Sequence, residues 1–194
     1  MRRATIQHIM ILAAGVALAG TFMAAKSAAP PQGVSPATVA DYVHDVIEAD
    51  RAIYTKHVVD RMQEKGVVAA SENWESQNTL PLPAQFLIDS ARMVAKKDRG
   101  IRYRLVSLWP IYERNGPATE FERGGLEAIM KQPDKTYTGY VVSGERRYFQ
   151  AIYADIAVAQ ACIGCHNAHP NSPRRDFKLN DVMGGIVITL PVAP

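Results

Sequence analysis

Residues 147–166 read RYFQAIYADIAVAQACIGCH. The first part of this stretch, from Arg147 to Val158, is rich in aromatic and β-branched residues, as is typical of a strand. Its last five residues form a Cys-x-x-Cys-His run, which contains the only two cysteines of the protein, Cys162 and Cys165. The sequence therefore predicts a strand that leads directly into the motif with the most specific chemistry in the chain.

The spacing of this motif predicts the covalent attachment of one haem c. Two thiols separated by two residues can each form a thioether to a vinyl group of the same porphyrin, and His166 can then reach the iron as proximal ligand. Three other sites share parts of the pattern: a redox-active dithiol, a zinc site that adds His169, and a structural disulfide. We favour haem because the motif coincides with an export signal, which haem c attachment requires.

The N-terminus has the features of a targeting segment. Arg2 and Arg3 precede an uncharged, mostly apolar run from Ile9 to Ala25, and small residues follow around Ser27. The run is at the short limit for spanning a bilayer, so both a cleaved signal peptide and an uncleaved membrane anchor remain open. The predicted divisions are a signal or anchor over residues 1–29, a linker over 30–36 and one periplasmic domain over 37–194.

The basic excess of the chain lies in that segment. Of the 22 basic residues, Arg2, Arg3 and Lys26 precede Asp41, the first of the 19 acidic residues. The exported body is therefore formally neutral, which argues against a basic face for nucleic acid.

A long helix is predicted to begin after the linker. Ser35 is placed to cap it, Pro36 to open it, and Gly66 to stop it after about Lys65. Helical spacing predicts that His57 lies on its inward stripe and that His44 lies off it. The other residues of the predicted stripe are Val39, Val43, Val46, Ala49 and Ile53. A helix of this length is typical of packing against a sheet or against its twin in a dimer.

The rest of the chain predicts an α+β fold. A second helix is expected from about Ala84 to Lys97, and a short one, capped by Thr119, through Ile129. Strands are expected at Tyr103–Trp109, Tyr137–Val142, Arg147–Val158 and Gly185–Leu190, the middle two as a hairpin. This order predicts helices on one face of a small antiparallel sheet.

A haem needs further partners besides the motif. His57 is the candidate distal ligand, because of its place on the predicted inward stripe. Haem propionates require water or cations, for which Arg102 and Arg104 at a strand start are candidates. Arg174, Arg175 and Lys178, which follow the motif, are further candidates, and all five can equally be ordinary surface charges.

Several stretches together carry a resemblance to a known family. They are RAIYTKHVV (51–59), LPLPA (80–84), YRLVSLWP (103–110), NGP (115–117), CIGCHNAHPNS (162–172) and DFK (176–178). From residue 37 onward the chain resembles the bacterial PAS-like single-haem c-type domain family, which includes exported proteins and the sensory ectodomains of cyclases and histidine kinases.

The resemblance implies a PAS-like antiparallel sheet with a long N-terminal helix, one covalent haem, and a role in redox or small-ligand sensing. It also implies, from one branch of the family, a cysteine on the long helix as second axial ligand. Here both cysteines belong to the motif, so thiolate ligation is excluded and His57 is the natural substitute.

The expected function is that of a haem-based sensor or signal-input protein, and the alternative is a periplasmic single-haem electron carrier. An enzyme such as a peroxidase is disfavoured, since no Arg-His pair occurs at a recognisable spacing. Expected partners are a redox protein or a separate signalling protein, a membrane through the N-terminus, and a second copy through the long helix.

Overall fold

The computed structural model describes residues 33–192. The predicted signal or anchor, residues 1–29, lies outside this range. Within the described range, no helix combines the length and the apolar character that a membrane span requires.

Helical segments and strands are interspersed along the chain. The helical segments are α1 (Pro36–Ile53), a π-helical segment (Tyr54–Asp60), α2 (Arg61–Glu64), α3 (Trp74–Gln77), α4 (Pro83–Ala95), a 3-10 turn (Glu113–Asn115), α5 (Glu120–Lys131) and α6 (Gln160–Ala168). The strands are β1 (Ala70–Ser71), β2 (Leu80–Pro81), β3 (Arg102–Val106), β4 (Tyr137–Ser143), β5 (Arg146–Ile156) and β6 (Val182–Pro191).

Four strands form one antiparallel sheet in the order β3-β6-β5-β4. The long central strands β5 and β6 pair with Ala151 opposite Ile188, and their register shifts between Asp155 and Ile156. A bulge of this kind bends a strand and interrupts its ladder. The irregularity therefore lies where the chain leaves the sheet for α6. Separately, β1 and β2 form a short parallel pair.

Helices cover both faces of the sheet, which corrects the expectation of helices on one face. Alternate residues of β6 point to opposite sides, so Ile186 and Ile188 pack with α1 and α4 while Val187 packs with α5. Between α5 and the sheet, Leu126 and Ile129 are almost fully buried. Burial on both sides explains why β6 is a near-continuous apolar run from Val182 to Val187.

The predicted first helix is a succession of three helical segments rather than one α-helix to Lys65. Its start matches the prediction, since the Ser35 hydroxyl accepts a hydrogen bond from the Thr38 amide at 3.1 Å and Pro36 occupies the first turn. In the first turn of the π-helical segment the Thr55 hydroxyl donates to the Arg51 carbonyl at 2.8 Å. A side chain that enters the backbone ladder in this way is a recognised cause of helix distortion.

The predicted inward stripe of that helix is right at its start and wrong further along. Val39 and Val43 pack against the core, but Val46 and Ile53 are 62% and 56% exposed, and His57 is exposed as well. The buried face runs through Ala40 and Ile47, with the largely buried His44 and Arg51 at the same spacing; their side chains are 12% and 13% exposed. The prediction followed apolar residues, and in the second half of the helix those it chose do not face the sheet.

Several local predictions are confirmed. The Thr119 hydroxyl caps α5 by accepting from the Glu122 amide at 3.2 Å, while the Glu122 carboxylate accepts from the Ala118 amide. The β4–β5 hairpin turns at Gly144, whose φ of +62° suits glycine. The prediction missed β1, β2 and α3.

Candidate haem c site

The Cys-x-x-Cys-His motif lies on α6. Cys162, Cys165 and His166 are three and four residues apart, so they share one face of the helix. Ile163 packs into a cluster at the end of the sheet that includes Phe177, and Cys162 packs against the same cluster. Neither thiol is in a disulfide, and both are half-buried. The helix is thus anchored at the end of the sheet directly beside its chemical groups.

Both cysteines are held as neutral thiols. Burial raises the pKa of Cys162, although the nearby Arg51 charge opposes that shift. Burial, and then the Glu72 carboxylate, raise the pKa of Cys165. A redox-active dithiol depends on a lowered thiol pKa, so these surroundings do not favour that alternative.

His166 is held as a neutral imidazole, because burial lowers its pKa. Its Nδ1 is buried and has no hydrogen-bond partner among the described residues. Its ring meets Phe177 edge-on, with the ring centroids 5.7 Å apart. Neutral imidazole is the form that ligates metals. Two accessible thiols and one neutral imidazole on a single helical face fit the requirements of haem c.

The loop after α6 is fastened beside His166. The Asn167 side chain donates to the Phe177 carbonyl at 2.9 Å and accepts from the Phe177 amide at 3.0 Å. The Arg174 guanidinium lies 4.3 Å from the centre of the Phe177 ring and is bonded to Asp176. These contacts fix Phe177, and through it the orientation of the His166 ring.

A buried ion pair lies beside the motif. Arg51 on α1 contacts Asp155 at the end of β5 through Nη1, and the two side chains are 13% and 8% exposed. Burial alone would lower the pKa of Arg51, but the Asp155 carboxylate outweighs it and the pKa is raised. The Arg51 charge also opposes the rise of the Cys162 pKa and adds to the lowering of the His166 pKa.

Sequence reasoning missed Arg51 as a residue of the site. The signal that could have found it is its spacing, since Arg51 lies four residues from both Ile47 and Thr55, which are buried. An arginine on the inward face of a helix requires a buried acidic partner.

A second polar cluster lies beside Cys165. Glu72 lies 3.3 Å from the His169 Nε2 and accepts a hydrogen bond from the Tyr112 hydroxyl at 2.9 Å. His169, the additional ligand of the zinc alternative, is therefore engaged by a carboxylate. Among residues 33–192, no group of three or more His, Cys, Asp or Glu side chains is arranged to hold a metal ion.

The other predicted residues lie on other elements of the fold. His57 is exposed on the π-helical segment. Arg102 is exposed and lies opposite Thr189, near the C-terminal end of β6. Arg104 donates to the Gly116 carbonyl at 2.6 Å and lies 3.6 Å from Glu122. Their roles as distal ligand and propionate partners stay predictions.

Of the basic residues after the motif, Arg174 contacts Phe177, whose ring meets that of His166. Arg175 and Lys178 are exposed, and Arg175 donates to the Pro170 carbonyl at 2.7 Å. Their assignment to propionates also stays a prediction.

Comparison with known proteins gives one family. The family model Tll0287-like matches residues 33–191. A solved structure titled "Crystal structure of the cyanobacterial heme-protein Tll0287" is similar at 14% sequence identity and a TM-score of 0.49, over 82% of this chain and 98% of that chain. A similarity of this size does not establish the fold. No curated protein matches the sequence.

Proposed function

We infer that the chain, which belongs to the Tll0287-like family, is an exported haem-binding protein. The observation that carries this proposal is the face of α6, where two free thiols and a neutral imidazole stand at haem c spacing. Cys162 and Cys165 would hold one haem through thioethers, and His166 would be the proximal iron ligand. Bound haem would supply one-electron chemistry and a site for small ligands.

The role that we propose is a haem-based redox or small-ligand sensor with a PAS-like domain. Its support is the structural connection between the motif on α6 and the first helix, α1. Arg51 of α1 is ion-paired with Asp155, at the strand end that leads into α6. A movement of α6 can therefore reach α1 through the end of β5 and the Arg51–Asp155 ion pair. Such a sensor would act on a separate signalling protein.

A periplasmic electron carrier is the second candidate. It is favoured by the half-buried position of Cys162 and Cys165, because the haem edge attached to them would reach the surface. An accessible haem edge is what electron exchange with a redox partner needs.

Haem attachment is tested by making the full chain together with haem c maturation machinery. We expect a mass increase of one haem that survives denaturation. The increase should be lost in the double variant Cys162→Ala/Cys165→Ala and kept in His57→Ala. A parent protein without covalent haem contradicts the proposal.

The two roles are separated by the visible spectrum of the reduced protein under carbon monoxide. A clear shift supports ligand sensing, because the sixth iron position is then open or readily vacated. No shift in a low-spin spectrum favours the electron carrier or a pure redox sensor. The same measurement on His57→Ala tests the predicted distal ligand, and an unchanged ferric spectrum would end that assignment.

A further inference from the structure

Arg51 is held at the strand end that leads into α6. Its partner Asp155 lies at the bulged end of β5, shortly before α6 begins at Gln160. Cys162 and His166 lie four residues apart on the first turns of that helix. The guanidinium is therefore held close to the helix that carries the motif.

One donor of this guanidinium is unused. Arg51 bonds Asp155 through Nη1, but its Nε is buried and has no partner within the described part of the chain. A buried donor without an acceptor costs free energy, so such groups in native proteins call for a missing partner. Arginine carries donors and no acceptor, so that partner must supply a lone pair.

The missing partner is best matched by an anion. The ion pair has no net charge, so the attraction comes from the directed N–H group and not from long-range charge. A hydrogen bond with an ionised donor or acceptor is about twice as strong as one between neutral groups, and an anion brings both the lone pair and an ionised acceptor to the Nε–H. Asp155 at the same time prevents the guanidinium from turning away.

We propose that Arg51 is the anion-binding group of the site, donating its Nε–H to a small anion such as azide or nitrite beside the haem. Asp155 is a positioning residue that holds the guanidinium in place. The inference rests on the proposed function, because it concerns the ligand that the haem site accepts.

The test uses the full haem-loaded chain and measures azide affinity by spectral titration of the ferric protein. The main variant is Arg51→Gln/Asp155→Asn, since removing one charge alone would leave the other buried and unpaired. Loss of a hydrogen bond between charged groups should weaken azide binding by about tenfold or more. Carbon monoxide affinity of the reduced protein, which involves no anion, should change by less than about twofold.

Arg51→Lys supplies a second, gentler variant. It keeps the charge beside Asp155 but removes the Nε–H, so we expect azide binding to stay weaker than in the parent. Arg92→Gln is the matched control, because Arg92 is an exposed arginine that is also paired with an aspartate, Asp89. It should bind azide as the parent does.

Haem content is measured first in every variant, so the two proposals can fail separately. A loaded parent that binds no azide, or loaded Arg51 variants with parental azide affinity, would overturn the inference alone. If a haem propionate accepted the Nε–H bond instead, the Arg51 variants would keep the parental azide affinity, and the inference would fail in the same way. A parent without haem would overturn the proposed function and this inference with it.

Discussion

His44 is held unprotonated on the buried face of α1. Its ring stacks on Tyr153, with the ring centroids 3.9 Å apart, and the Tyr153 hydroxyl donates to Asp41 at 2.8 Å. Burial lowers the pKa of His44, although Glu48 and Asp45 oppose the shift. The His44 Nε2 is buried without a partner in the described chain. Protonation of His44 would place a charge against the sheet, with Asp45 at 3.8 Å from Nδ1 but no acceptor for Nε2 among the described residues.

This burial predicts lower stability in acid. The pKa of His44 in the folded protein lies below the ordinary value of about 6.5, so the unfolded chain binds the proton first as the pH falls. The free energy of unfolding should therefore decrease as the pH drops below about 6.5. Urea unfolding of the haem-loaded protein at about pH 7.5 and about pH 5.5 measures this loss.

The matched variant is His44→Phe, which keeps the stacked ring. We expect a smaller loss of stability in His44→Phe than in the parent. Contributions from other groups are common to both proteins. An equal loss in both would show that His44 is not the responsible group.

Gly125 lets α5 pack closely on the sheet. A Cβ on Gly125 would overlap the Ile152 side chain and come within 2.8 Å of a Tyr137 ring carbon. A Cβ on the neighbouring Gly124 would meet only the Tyr137 hydroxyl at 3.8 Å, an ordinary contact. The two positions therefore differ in the room for a side chain, although both lie inside α5.

This difference gives a prediction for two adjacent substitutions. Gly125→Ala should destabilise the protein by about 1–3 kcal/mol through overpacking. Gly124→Ala should be neutral or stabilising by up to about 1 kcal/mol, because alanine is the better helix former. Denaturant unfolding of both variants measures the difference, and equal effects would mean that α5 does not approach the sheet through Gly125.

The elements that could be predicted are those with local signals. The Thr119 cap, the Gly144 turn and the α4 helix each depend on neighbours in sequence, and each lies where it was expected. The short β1–β2 pair was missed because each strand has only two residues, too few for a periodic pattern. For the candidate site, the three motif residues followed from spacing alone. The spacing of Arg51 could have indicated its inward position, but its partner could not be assigned, since Asp155 is 104 residues away.

At the scale of the whole molecule, α1 presents an exposed apolar stripe. Tyr42, Val46 and Ile53 are 64%, 62% and 56% exposed, and Ala49 completes the row. The spacings of four, three and four residues are those of a coiled-coil seam. A seam of this kind fits a second helix with the same seam, as the expected homodimer would supply.

We therefore expect the full-length protein to be a dimer through α1. Light scattering after size-exclusion chromatography should give twice the chain mass, and Val46→Lys should give the monomer. Val67→Lys is the matched control, because Val67 is equally exposed at 66% but lies outside the stripe. A monomeric parent, or a dimer that survives Val46→Lys, would contradict this assembly.

The π-helical segment Tyr54–Asp60 has a consequence for how this chain is aligned with others. A π turn accommodates one residue more than the α-helix on either side, and each residue of an α-helix advances it by about 100°. A relative that lacked one residue within this segment could keep both flanking buried faces on an unbroken α-helix. A single-residue gap at this place in an alignment would therefore mark a local change of helix type, with the residues before and after it still structurally equivalent.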